Sequence, residues 1–200
     1  GSRYSDNEVL KELSKSKLIF DEPLDLFKTT AKYLLDGKII AWFQGATEYG
    51  PRALGNRSIL TRPFPLEMKD YVNNQVKFRE SFRPFAPAIL EEYKDLYFHI
   101  NQNSPHMLMA VKAKTEKSEK IAATVHNDMS SRVQTVSEEN NRKFYQLIRA
   151  FYEISNVPVL LNTSFNVKGQ PIVNTPKQAI DTFLNTKIDV LVIHDYILTK

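Results

Sequence analysis

The sequence predicts one α/β domain, a mixed β-sheet flanked by helices, and three features of its 200 residues carry that expectation. Short apolar runs of strand length interleave with stretches whose apolar residues recur at helical spacing, and some strands follow one another with no helix between them. At 42% hydrophobic residues, a chain this long buries on the order of 70% of its unfolded surface, so its core needs neither disulfide nor metal. The longest apolar runs, residues 38–43 and 189–193, fall far short of the roughly 20 residues that span a bilayer. No membrane partner is expected.

Gly1-Ser2 has the look of a cloning scar and suggests a piece of a longer protein. Residues 3–24 are mixed and charged, as in a linker or a peripheral helix, and 25–200 form the domain. Asp25 to Leu35 reads as an amphipathic helix, with Phe27, Ala31, Leu34 and Leu35 at helical spacing and Gly37 just past its end. Ile39 to Phe43 is then a buried strand, followed by a loop over Gln44–Ser58 and a helical stretch carrying Met68, Val72 and Val76. Strands are expected at Phe85–Leu90, at His106–Lys114 from its alternation, and at Arg132–Val136. Asn141–Ser155 is a helix with Phe144, Leu147, Ile148 and Phe151 inward. Val157–Leu161 is a strand, Thr175-Pro176 opens the next helix as cap and first turn, and Val190–Leu198 closes the chain as a strand.

The absence of cysteine excludes disulfide frameworks, thiol nucleophiles and Cys-based zinc sites. It is compatible with a reducing cytoplasm, and no signal peptide opens the chain. The net charge is only +4, but it is unevenly placed: residues 41–90 carry seven basic against four acidic side chains, and five of the seven are Arg. Arginine suits bidentate contacts to phosphate and carboxylate, so this block is where an anion site belongs.

Four clusters can carry chemistry. Residues 44–58 hold three glycines with Arg52 and Arg57; such a loop either lets backbone N–H groups approach an anion or is a tight turn with solvated arginines. It has neither the Walker nor the dinucleotide pattern. In Lys77-Phe78-Arg79-Glu80-Ser81-Phe82-Arg83, an extended backbone points Lys77 and Arg79 the same way, whereas a helix C-terminus would carry them as dipole-favoured cations. Asn162-Thr163-Ser164-Phe165-Asn166 leaves a buried strand, either where ligands bind in open α/β sheets or as a self-bonded polar turn. His126 and Asp128 are spaced for acid–base work or for a turn. The four histidines show no metal-ligand spacing, and no protein-held metal is expected.

Together and in this order, these segments resemble the C-terminal, YrdC-like domain of the NodU- and CmcH-type O-carbamoyltransferases. The stretches are Glu48–Ser58, Val76–Pro87, Ser131–Val136 and Val159–Asn166, and the likeness runs from about Tyr4 to Lys200. The resemblance implies a YrdC-like twisted mixed sheet flanked by helices. It also implies a domain that binds carbamoyl phosphate and ATP, with Mg²⁺ arriving on the ATP, and forms carbamoyl adenylate, releasing phosphate and pyrophosphate. An N-terminal transferase domain, absent here, would pass the carbamoyl group to an acceptor hydroxyl. The family's Lys-x-Arg and Ser-x-Asn motifs fall on Lys77 and Arg79, and on Ser164 and Asn166; its Ser-Arg-Val-Gln-Thr segment places Arg132. Lys77, Arg79 and Arg132 are then expected to clamp phosphates and His126 to contact the carbamoyl group. Arg52, Arg57, Arg83, Asn162, Thr163, Ser164 and Asn166 would hold the nucleotide or its phosphates. Lys77→Ala is expected to abolish adenylate formation with the fold intact. The family's turn after His126 carries Gly where this chain has Met129. Two other functions compete: an RNA-binding module, which the modest charge excess and missing aromatic platform disfavour, and a non-catalytic docking domain.

Overall fold

Strand β1 (Ile40–Phe43) is buried at every position because both of its faces are covered. Ile40 and Trp42 enter one apolar cluster, Ala41 and Phe43 the other, which is why an unbroken apolar run encodes it. The computed structural model describes residues 1–78 and 85–200. The remaining strands are β2 (Arg57–Thr61), β3 (Ala86–Leu90), β4 (Ala110–Lys112), β5 (Ser130–Arg132), β6 (Gln134–Val136), β7 (Val159–Ser164), β8 (Val190–Ile193) and β9 (Tyr196–Thr199). Among the described residues seven of them form one mixed sheet in the order β6-β3-β7-β2-β1-β8-β9, and β4 pairs with β5 apart from it. β3–β6 and β1–β8 run parallel; β1–β2, β2–β7, β3–β7 and β8–β9 run antiparallel.

The helices are α1 (Asp6–Ser16), α2 (Leu26–Leu35), α3 (Met68–Val72), α4 (Lys94–Tyr97), α5 (Thr115–Ser118), α6 (Arg142–Ser155) and α7 (Pro176–Leu184). α2 and α6 cover one sheet face with Leu26, Leu34, Phe144, Leu147 and Phe151. α1 and α7 cover the other with Val9, Leu13, Ile180 and Phe183. No described helix is long and apolar enough to cross a membrane. The mixed α/β sheet flanked by helices is the fold the sequence predicts.

Local chemistry sets the helix starts. Asp25 accepts the Lys28 amide (2.9 Å), Asn141 the Phe144 amide (3.2 Å), and Thr175 with Gln178 forms a capping box. Gly37 takes a φ of 79° behind α2. The segment 3–24 contains α1, whose Val9 and Leu13 are fully buried against the sheet.

Four expectations change. The loop after β1 ends at Arg57, where β2 begins; only Ile59 and Leu60 are apolar in that strand, and its burial comes from lying between β1 and β7. The predicted strand 106–114 shrinks to Ala110–Lys112, because Met107 is left-handed (φ 54°). The predicted strand 132–136 divides at Val133, as Arg132 pairs with β4 and Gln134 with β3. His194 (φ 51°) folds the last strand into the β8–β9 hairpin.

Candidate active site

The exit of β7, the start of β3 and the residues around Arg52, His126 and Arg132 enclose a cleft of about 330 Å³. Arg52, His126, Arg132, Asn162, Thr163 and Ser164 line it, beside Pro51, Ala53, Phe85, Ala86 and Met107. Six of the predicted site residues thus converge from separate parts of the chain. Ligands are expected at such a place, beyond the carboxyl end of a sheet strand.

Arg52 and Arg132 give the cleft its charge. Among the described residues neither guanidinium has an acidic or hydrogen-bonding partner. Partial burial, and then repulsion from Arg132, lower the Arg52 pKa from its ordinary value. Two unpaired cations facing one cavity are a receptor for an anion, because an anion removes their repulsion as well as binding each of them.

Asn162 is 1% exposed and sits in a network reaching from the glycine loop to β6. Its Nδ2 donates to Gln134 Oε1 (2.9 Å) and to the Ala53 carbonyl (3.2 Å), while Gln134 Nε2 donates to the Leu54 carbonyl (2.9 Å). His126 lies in a turn in which its amide donates to the Ser130 carbonyl (2.9 Å) and its carbonyl accepts the Met129 amide (2.9 Å). Met129 takes a φ of 66° there, so the turn keeps the shape a glycine would favour. Burial, then Lys69 and Arg132, push the His126 pKa down against the opposing pull of Asp128.

Lys77 and Asn166 meet behind the cleft. The helix α3 continues as a π turn over Asn73–Lys77 that buries Lys77 to 5% exposure. Its ammonium donates to the carbonyl and Oγ of Ser164 and to the carbonyl (3.0 Å) and Oδ1 (2.9 Å) of Asn166. Ser164 Oγ also donates to Asn166 Oδ1 (2.7 Å). Lys77 therefore ties down the β7 exit and does not itself line the cleft. Arg79 and Arg83 lie outside the described residues.

Arg57 is placed elsewhere. It is fully buried, donates to the carbonyls of Gln44 (2.7 Å), Asn56 (3.2 Å) and Gly45 (3.3 Å), and stacks 3.5 Å above the Phe43 ring. Burial lowers it to about 10, partly offset by Glu48 and Tyr4, which leaves it charged at neutral pH. Its hydrogen bonds hold the loop together on the sheet face opposite Trp42.

Sequence reasoning passed over Glu48 and Gln134. Glu48 Oε1 accepts three loop amides, from Leu54 (2.7 Å), Asn56 (2.8 Å) and Arg57 (3.2 Å). The glycine loop is thus closed by its own carboxylate, and a ligand anion is left to the arginine side chains. A carboxylate inside a glycine-rich loop was the available signal. Glu48→Ala is expected to lose about 2–4 kcal/mol, as three partly buried donors lose their acceptor. Amide exchange should quicken at Leu54, Asn56 and Arg57; unchanged protection there would show that the loop holds without the carboxylate.

The family profile described as Carbamoyltransferase C-terminus matches residues 31–200. The chain belongs to the carbamoyltransferase C-terminal family. It is 43% identical over 179 residues to nodulation protein NolNO of Sinorhizobium fredii, a match covering 88% of this chain and 26% of that protein. It is 41% identical over 224 residues to the uncharacterized Synechocystis sp. protein sll1178, covering 100% and 36%. The crystal structure of full-length HypF in the phosphate- and nucleotide-bound form shares the fold of this carbamoyltransferase C-terminal domain, with a TM-score of 0.57 and 20% identity. That likeness covers 88% of this chain and 22% of HypF. The domain spans about a third or less of the length of these relatives.

Proposed function

We propose that this carbamoyltransferase C-terminal domain binds carbamoyl phosphate and ATP and makes carbamoyl adenylate. A further domain of the longer protein would use it to carbamoylate an acceptor hydroxyl. The balance is carbamoyl phosphate, ATP and water giving carbamoyl adenylate, phosphate and pyrophosphate. The observation that carries the reading is the pair of uncompensated guanidiniums, Arg52 and Arg132, at the β7 exit. Phosphoryl and nucleotidyl transfer ask a protein mainly for positioning and for positive charge aimed at phosphate oxygens. The hydroxyl of Thr163 adds a donor on the same wall. The cavity is at the small end of ligand sites, which suits a phosphate-bearing metabolite more than a large polymer. Mg²⁺ would enter on the ATP phosphates and supply further charge neutralisation. Two relationships support the reading by analogy: the NolNO likeness, and the phosphate and nucleotide in the HypF structure.

The test is carbamoyl-phosphate-dependent exchange of labelled pyrophosphate into ATP by this chain. Exchange should require carbamoyl phosphate and fall about 10²- to 10³-fold in Arg132→Ala, as when one aimed donor is removed from a charged transition state. Exchange that proceeds without carbamoyl phosphate, or that Arg132→Ala leaves intact, would remove the assignment.

A further inference from the structure

Two polar atoms of cleft-lining residues, His126 Nε2 and Asn162 Oδ1, are buried and have no partner among the described residues. Their surroundings lock both as hydrogen-bond acceptors. Gln134 Nε2 must face the Leu54 carbonyl and Asn162 Nδ2 the Ala53 carbonyl, since a flipped amide would set oxygen against oxygen. With Nδ2 also satisfying Gln134 Oε1, the atom left over is the oxygen, Oδ1.

His126 is fixed by a proton chain. Ser130 Oγ lies 2.6 Å from Asp128 Oδ1, and Asp128 also accepts the Ser130 amide (3.0 Å) and pairs with Lys112 (3.2 Å). Those contacts hold the Asp128 carboxyl well below the usual range, so it is ionised and can only accept. The single Ser130 hydroxyl proton therefore points to Asp128, and Ser130 Oγ accepts from His126 Nδ1, 3.3 Å away. Nδ1 carries the proton of the neutral ring, and Nε2 presents a lone pair.

Acceptors beside two arginines are poorly suited to phosphate, whose ionised oxygens have no hydrogen to give. They call for a neutral group with two N–H bonds. Resting on the carbamoyl phosphate reading, we propose that His126 Nε2 and Asn162 Oδ1 receive the two N–H bonds of the carbamoyl amino group. They would then select carbamoyl over acyl groups that lack those hydrogens. Gln134 and Ser130 act through them as positioning residues. Acetyl phosphate, with a methyl in place of the amino group, would bury both acceptors unpaired, the situation in which sites built around a hydrogen bond discriminate most strongly.

Calorimetric titration of the chain with carbamoyl phosphate and with acetyl phosphate tests this. The unsubstituted protein should bind carbamoyl phosphate about 10- to 100-fold more tightly. Asn162→Ala and His126→Ala should each cut that ratio about tenfold, over and above any change common to the two phosphates. Equal affinity of the unsubstituted protein for the two phosphates, or parallel weakening of both by the variants, would overturn the selection role and leave carbamoyl phosphate as the ligand. Failure of the unsubstituted protein to bind either phosphate would overturn the selection role together with the carbamoyl phosphate reading. The ratio for the unsubstituted protein depends on no variant folding.

Discussion

Gly55→Ala is expected to cost about 2–5 kcal/mol, the sum of a backbone and an overpacking penalty. Gly55 has a φ of +101°, and a Cβ there would lie 2.2 Å from Cδ1, 2.5 Å from Cγ and 2.9 Å from Cβ of Phe144. Phe144 cannot give way, because it is fully buried in the α2–α6 layer. Nor can the glycine backbone move freely: its amide donates to Ser58 Oγ (3.1 Å) and its carbonyl accepts from Trp42 Nε1 (2.9 Å). Gly50 separates the two penalties, having a φ of +118° and nothing within 4 Å of where a methyl would sit. Gly50→Ala should therefore cost only the backbone share, about 1–2 kcal/mol. Denaturant midpoints of the two variants give the difference directly. A Gly55→Ala midpoint no lower than that of Gly50→Ala would mean that the loop and α6 are not in the contact described.

The same loop shows what a sequence can and cannot convey. The cap at Thr175 was legible because it bonds an amide three residues on, so cause and effect share one short window; Asp25 and Asn141, read as the first residues of their helices, prove to be caps of the same kind. β1 was legible because burial on both faces makes its whole run apolar. β2 was not, since its burial depends on pairing with β7 as well as with β1, and β7 lies about a hundred positions away. For the site, residue type announced charge but not direction. Arg52 and Arg57 are five residues apart, yet Arg52 lines the cleft and Arg57 is buried on Phe43. Only the strand conformation of 57–61 explains the split, because its alternation sets Arg57 beside Ile59 on the α1–α7 side. The family resemblance is what brought His126, Arg132 and 162–164 into one expectation. No spacing within the chain links them, because the sheet order that unites β3 and β7 is a crossover.

Lys77→Met should lower both stability and pyrophosphate exchange, where the family resemblance alone predicts loss of activity with the fold intact. The difference follows from what the ammonium does. It supplies donors to the Ser164 carbonyl and to both oxygens of Asn166, in a pocket that leaves Lys77 5% exposed. Methionine fills the same channel but donates nothing, so the Asn166 carbonyl loses its donor, at about 1–3 kcal/mol, while the Ser164 carbonyl and Asn166 Oδ1 each keep one, from the Asn166 amide (3.0 Å) and Ser164 Oγ (2.7 Å). Ser164 is also the cleft residue that Lys77 holds. A displacement of about 1 Å in a positioning group can cost on the order of 10²-fold in rate, so exchange should fall by that much in the fraction that remains folded. Measuring the urea midpoint and exchange on one preparation distinguishes the two roles. A lowered midpoint with lost exchange is the expected pair. Lost exchange at an unchanged midpoint would instead make Lys77 a direct phosphate ligand, which must leave Asn166 and turn into the cleft when substrate arrives.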